Sequence, residues 1–418
     1  MISGMDNRDH PNQTALELAR DARLVGVDGR ALRRAHENGE KNRLLRGVYV
    51  PSQLWNTAND DAQYLMRIHA VALTRRSQPV LSHVSAARVW GLPILGAWPR
   101  EVHLMLQGGG STRGSKNGVV WHQGALSEDD VVEIDGLLVT SRLRTMVDLA
   151  RSMRFISAVV SLDAGLRSPF LLPNGRRDED IAKEELVEAV QRLGSVRGCR
   201  AAARASGFAD GKSGSPGESV CRVNIYVCGF PAPLLQVSYA RPGGGEDVVD
   251  FTWEAKHHVR NLPLLGEFDG KVKYTRQEYM QGRSIEDVVW DEKVRQDRLC
   301  APGRGMVRWL WDVALSPARL RALLLEAGLR PERWSERAKI VNCGRDCPVC
   351  LSISTGTGNL GGRILGAEGA APEGWRWATG SGSLGRLSVR RNPGLRVQHM
   401  HNPPVAEILQ PFSPKEVG

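Results

Sequence analysis

Apolar and polar positions follow two rhythms along this chain, and the changes of rhythm mark its parts. TALELARDARLV repeats apolar residues at helical spacing, and Asp28 is placed to cap a second short helix containing Arg30, Ala31, Leu32, Arg33, Arg34 and Ala35, which Gly39 closes. NRLLRGVYVP then reads as a strand, a turn at Gly47 and a basic wing with Arg43 and Arg46. AQYLMRIHAVALTRR is helical, with Leu65, Ile68 and Ala72 on one side. Ser82 caps HVSAARVW, which Gly91 and Pro93 end. VHLML and GVVWHQ alternate as strands, Thr140 or Ser141 caps RLRTMVDLARS, and helices follow over 155–167 and 183–206.

Residues 207–216, GFADGKSGSP, are small and polar and predict a hinge. Beyond them SPGESVCR opens a helix with Ser215 at the N-cap, Pro216 in the first turn and Glu218 completing a capping box. VVDFTW reads as a strand whose Val249 and Phe251 point one way and Asp250 the other. LLGEFDGKVKY predicts a second strand, with Glu267, Asp269, Lys271 and Lys273 sharing one face. In EDVVWDEKVRQDRL, a helix, Val288, Val289, Val294 and Leu299 are expected inside and Lys293, Arg295 and Arg298 outside. Trp309 and Trp311 of MVRWLW are expected to fill the sheet's face. After about residue 333, glycine, serine, proline and arginine replace periodic apolar positions, and a disordered tail is expected.

The fold class implied is multidomain, α+β and α/β. Its parts are a flexible N-terminus (1–12), a winged helix (13–55), a mixed α/β middle domain (56–206), the hinge (207–216), a mixed sheet with flanking helices (217–330) and the tail (331–418). A length of 418 residues agrees with two or three domains, and 41% hydrophobic residues suffice for real cores. The formal net charge of +10 favours a polyanionic partner. Arginine dominates the basic residues, and its guanidinium suits phosphate and guanine, which points to DNA over a membrane surface. MISGMDNRDHPNQ lacks an apolar signal region, no apolar run reaches the roughly eighteen residues of a span, and an odd seven cysteines argue against a disulfide framework. A cytoplasmic protein is expected.

The chemistry concentrates between residues 215 and 273. An acid flanked by core residues, as Asp250 is, shifts its pKa or finds a cation. Mg²⁺ takes oxygen ligands and a substrate phosphate, and phosphodiester hydrolysis uses it to activate water. Asp250, Glu267 and Asp269 are the candidate metal ligands, Lys271 the group that orients the water, with Lys273 in reserve, and Glu218 the support for the metal shell. The plainer alternatives are a helix cap for Glu218 and a solvated strand face for the others.

Asp250 followed by Glu267, Asp269 and Lys271, with Glu218 on the preceding helix, resembles the PD-(D/E)XK nuclease superfamily, and within it the very-short-patch-repair (Vsr-like) endonucleases. The likeness covers about residues 213–330 and implies a restriction-endonuclease-like fold and Mg²⁺-dependent DNA cleavage. Two departures stand out: Val249 takes the place of the frequent proline, and either Glu267-Phe268-Asp269 or Asp269-Gly270-Lys271 can be read as the acid-x-lysine element. Residues 10–205, through RLLRGVYV, SHVSAARVWGLPI and DGLLVTSRLRTMVDLAR, resemble the AbiEi antitoxin and transcriptional regulator family of type IV toxin–antitoxin systems. That resemblance implies a DNA-binding winged helix and a nucleotidyltransferase toxin as partner. Arg30, Arg33, Arg34, Arg43 and Arg46 would then contact DNA, and Lys293, Arg295 and Arg298 could line a groove by phosphate contact.

Two further groups are noted. His83, His103 and His122 are candidates for a phosphate or base contact, against the commoner role of hydrogen-bonded structural groups. Cys343, Cys347 and Cys350 have the spacing of an iron–sulfur or zinc site, with His399 or His401 as a distant fourth ligand, but the low-complexity context speaks against either.

Overall fold

In the computed structural model, residues 15–24, 29–106, 115–270 and 285–332 are described, and all belong to one unit, Met1–Arg376. The expectations for the 1–12 segment, Lys271, Lys273, the tail, its cysteines and its histidines lie outside the described residues.

The N-terminal part runs β1 (Glu17–Leu18), α1 (Ala19–Leu24), α2 (Gly29–Glu37), β2 (Lys41–Leu45) and β3 (Val48–Pro51), with the strands ordered β1-β3-β2. Gly47, at φ +80°, makes the turn between β2 and β3, a conformation most side chains resist. Leu16, Leu18, Leu44, Val48 and Val50 form a small core, closed by Met66 and Ala70 of a later helix. Between them come α3 (Ser52–Thr57) and that helix, α4 (Asp60–Thr74). Another side of α4, with Tyr64, Ile68 and Val71, enters the middle core. Helix α4, wholly beyond the boundary expected at 55/56, therefore packs into the cores on both sides of it.

The middle part continues with α5 (His83–Trp90), β4 (Val102–Met105), β5 (Ser115–Lys116), β6 (Val119–His122), β7 (Val131–Ile134), β8 (Leu137–Thr140), α6 (Arg142–Ser152) and α7 (Phe155–Gly165). Then follow β9 (Phe170–Leu171), β10 (Arg177–Asp178), α8 (Lys183–Gln191) and α9 (Cys199–Phe208). Gly91 ends α5 in the left-handed conformation, and the Ser141 hydroxyl accepts from the Arg144 backbone N–H at the start of α6, as their positions in the sequence suggest. β4 and β6 pair in parallel, which brings His103 and His122 to neighbouring strands.

The last part is α10 (Pro216–Val227), β11 (Leu234–Ala240), β12 (Glu246–Trp253), β13 (Leu264–Phe268), α11 (Ile285–Cys300), β14 (Gly305–Trp309), α12 (Trp311–Ala314) and α13 (Pro317–Glu326). Its sheet has the order β11-β12-β13-β14, antiparallel except for the parallel pair β13–β14, whose crossover carries α11. Phe251, Trp253, Phe268 and Trp309 pack with Cys221 and Ile225 of α10, while Val249 and Leu265 pack with Leu299 of α11. Gly266 allows the first arrangement, because a Cβ there would stand 2.9 Å from the rings of both Trp253 and Trp309.

The 207–216 connection differs from the expected hinge. Ala209 and Ser213 are fully buried. Asp163 of α7 accepts from the Asp210 backbone N–H at 2.8 Å and from the Arg222 guanidinium of α10 at 2.5 Å, and Arg222 also donates to the Phe208 carbonyl. A buried, fully hydrogen-bonded ion pair spanning the connection fixes it in place. Small polar residues supply tight turns here, and the anchoring groups come from helices on either side.

Candidate active site

Three elements bring the first acids together. Ser215 caps α10, its hydroxyl accepting from the Glu218 backbone N–H and donating to the Glu218 carboxylate at 2.8 Å. The same carboxylate accepts from the Gly214 N–H at 2.7 Å and from the Gln236 side-chain nitrogen at 2.8 Å. Gln236 Nε2 also donates to Asp250 at 3.1 Å. Both partners are carboxylates, so the nitrogen side of this amide must face them. The second Asp250 oxygen accepts from the Phe268 N–H at 2.9 Å, tying β12 to β13 through a side chain.

Asp250 owes its orientation to a break in strand alternation. Val249 packs beside Leu299 and Phe251 beside Trp309, on different clusters, where strict period two would put both on one face. Opposite, between the pairs Leu235–Phe251 and Val237–Val249, Gln236 has φ +50°. A non-glycine residue in that region marks strain at a site. The expected opposition of Asp250 to two like-facing neighbours is thus replaced by a local kink that aims Asp250 at α10.

Glu267 and Asp269 turn to other partners. Arg295 of α11 grips Glu267 through two nitrogens, at 3.0 and 2.5 Å. Arg308 of β14 holds Asp269 in the same bidentate manner, at 2.7 and 2.8 Å, and reaches Glu267 at 3.5 Å. Glu292 joins both arginines. Nearby, Asp247 accepts from Arg241 and Arg298 and lies 3.8 Å from Arg295. Asp247, Glu267, Asp269 and Glu292 therefore meet Arg241, Arg295, Arg298 and Arg308, four carboxylates against four guanidiniums. Burial pushes Glu267 above the ordinary glutamate range, against the pull of Arg295. Hydrogen bonding to Asp269 holds Arg308 still more firmly protonated than usual.

Mg²⁺ needs several oxygen ligands at one point. Among the described residues, no group of three or more histidines, cysteines or acids stands so as to hold a metal ion. Glu218 and Asp250 share an amide, while Glu267 and Asp269 are already neutralised. As arranged, these side chains do not fit the ion, and no hydrolytic step follows from them.

The α11 expectation is corrected in part. Leu299 is buried, but Val294 is 40% exposed, and Arg295 and Arg298 are half-buried, their guanidiniums held by carboxylates; Lys293 remains exposed. Arg30, Arg33, Arg34, Arg43 and Arg46 are all exposed, with Arg33 paired to Glu37 along α2. His83, His103 and His122 do come together. His83 stacks on His122 with ring centroids 3.5 Å apart, and His122 Nε2 lies 2.9 Å from His103 Nδ1. Gln236, Arg308 and Asp247 escaped the sequence reading. Gln236 and Arg308 are each a polar residue inside an otherwise apolar stretch (LLQVS, MVRWLW), the same signal that singled out Asp250, whereas Asp247 follows Glu246 at the start of β12 and has no such signal.

No protein-family model matches the chain. It is 35% identical over 120 residues to an uncharacterized protein of Mycobacterium tuberculosis strain CDC 1551, and equally to one of strain H37Rv. The match takes in 29% of this chain and 41% of each relative. Among the described residues, no helix is long and apolar enough to cross a membrane.

Proposed function

We propose that this chain is a DNA-binding regulator of the AbiEi-like, type IV toxin–antitoxin kind, whose C-terminal part is a restriction-endonuclease-like module used for binding. Two layouts support the reading. In the first, β1-α1-α2-β2-β3 exposes Arg30, Arg33 and Arg34 on its second helix and Arg43 and Arg46 on its hairpin, the places where a winged helix meets base edges and phosphates. In the second, a helix, three antiparallel strands, a crossover helix and a parallel fourth strand follow the order of restriction-endonuclease cores. The observation that carries regulation over cleavage is the arginine clamp on Glu267 and Asp269. A metal would have to displace two bidentate guanidiniums from partly buried carboxylates. The resemblance also implies a nucleotidyltransferase toxin as partner.

One observation favours a second reading, a Mg²⁺-dependent DNA endonuclease. Glu218 and Asp250, two acids from separate elements, are brought to one amide, so that part of the expected acid set does share a neighbourhood. Supercoiled plasmid incubated with the full chain and Mg²⁺, beside Asp250→Ala, separates the two. Retarded but intact plasmid is expected from both proteins. Nicking by the wild type that Asp250→Ala abolishes would overturn the regulator reading.

A further inference from the structure

A cleft of about 510 Å³ adjoins the Glu218–Gln236–Asp250 chain. Gly214 and Gln236 belong both to its wall and to that hydrogen-bond network. The rest of the lining comes from the middle part and the connection, including Arg167, Lys183, Asp210 and Lys212. Three cations face one acid, and the acid is engaged: Asp210 accepts from the Lys212 backbone N–H at 3.0 Å. Lys212 is exposed, and Lys183 spends one donor on the Gly207 carbonyl and keeps two others. Arg167 donates to the Ser213 carbonyl at 3.1 Å, yet its shielded Nε has no acceptor among the described residues. Among the charged residues of this wall the cations outnumber the acid three to one, a setting that suits an anionic oxygen.

We propose that this cleft, walled by Arg167, Lys183 and Lys212 and opening beside Gln236, holds the phosphodiester backbone of a DNA strand. The proposal rests on the DNA-binding reading above and relocates its phosphate contacts, since Arg295 and Arg298 of α11 are consumed by carboxylates. The volume lies within the range of small-ligand sites, enough for a nucleotide-sized piece of strand but not for a duplex. The strand therefore enters by its backbone edge. Fixing the 207–216 connection through Asp163 and Arg222 keeps the two walls in register, so the site is preorganised.

The test is fluorescence anisotropy of the full chain with a labelled duplex of about 20 base pairs and the matching single strand, titrated with salt in EDTA. Each lost phosphate contact should lower the slope of log affinity against log salt by about 0.9 on duplex and about 0.7 on a single strand. Lys183→Gln with Lys212→Gln is expected to weaken binding roughly tenfold and to flatten the duplex slope by about 1.8. Lys212→Glu alone, on an exposed residue, checks that the effect does not come from misfolding, and Lys293→Gln should change neither quantity. Binding by the wild type with unchanged slope and affinity in both cleft variants sinks the cleft and leaves the DNA-binding reading standing. Failure of the wild type to bind either nucleic acid sinks both.

Discussion

The arginines of α2 and its hairpin and the arginines of α11 look alike in the sequence and end in opposite states. Arg34 and Arg46 stand exposed, whereas Arg295 and Arg298 are drawn onto Glu267, Glu292 and Asp247. What separates them is the acid supply of the neighbouring strands. β12 and β13 carry Asp247 and Glu267 where α11 crosses them, while the N-terminal sheet presents mostly Leu44, Val48 and Val50. A basic helix face is thus a binding surface only when the elements packed against it leave its charge unspent.

Stability should break this comparison open most widely. Asp247 is 2% exposed and receives charge-assisted hydrogen bonds from Arg241 and Arg298. Asp247→Ala leaves Arg241 and Arg298 without their carboxylate and Arg295 with Glu267 and Glu292 alone, and should cost about 3 kcal/mol. Arg34→Ala, on the exposed helix, should stay within about 0.5 kcal/mol of the wild type. Urea unfolding of the two variants reads both numbers. A loss below about 1 kcal/mol for Asp247→Ala would mean that the four-by-four charge cluster is surface decoration.

Binding reverses the ranking. If the N-terminal arginines meet DNA, Arg34→Gln with Arg46→Gln should weaken duplex binding about tenfold and flatten the salt slope by about 1.8, while Arg298→Gln leaves the slope alone. Equal slopes for all three proteins would place the phosphate contacts elsewhere and remove the contrast between the two arginine sets.

The sequence made this contrast only half legible. Strand and helix periodicity located α10, β12, β13 and α11 close to their observed places, because their apolar positions bury in the cores those rhythms imply. Glu218 and Asp250 could be singled out because each is an acid in a setting that demands a partner. Their actual partner, Gln236, depends on a left-handed kink in β11, and no local pattern in LLQVSYA announces one. Glu267 and Asp269 were legible as acids but not as arginine ligands. Arg308 reaches them only because β14 returns parallel to β13, with Arg308 in register with Glu267. The anchoring of residues 207–216 is hidden for a related reason: Asp163, which holds the connection, lies far away in the chain.

A third set of basic groups sharpens the comparison from the other side. His83, His103 and His122 are packed ring against ring; burial holds His103 and His122 down to about 4 and His83 to about 2, with repulsion from neighbouring imidazoles adding to the shift at His83 and His103. Arg144 and Arg151 add repulsion at His83. Where the α11 arginines keep their charge by recruiting acids, these imidazoles remain neutral. In the unfolded chain they titrate near 6.5, so above that pH neither state binds the proton and the cluster adds no pH dependence. As pH falls from about 6.5 toward 4, the unfolded chain takes up protons that the folded one refuses, and stability must fall. The loss should be of order 1 kcal/mol per imidazole between pH 7 and 5, read as a lower urea midpoint. His103→Asn with His122→Asn removes two of the three groups, and the gap between its midpoints at the two pH values should shrink accordingly. An unchanged gap would show that the stacked rings take up protons as readily folded as unfolded, and that their packing costs them nothing in basicity.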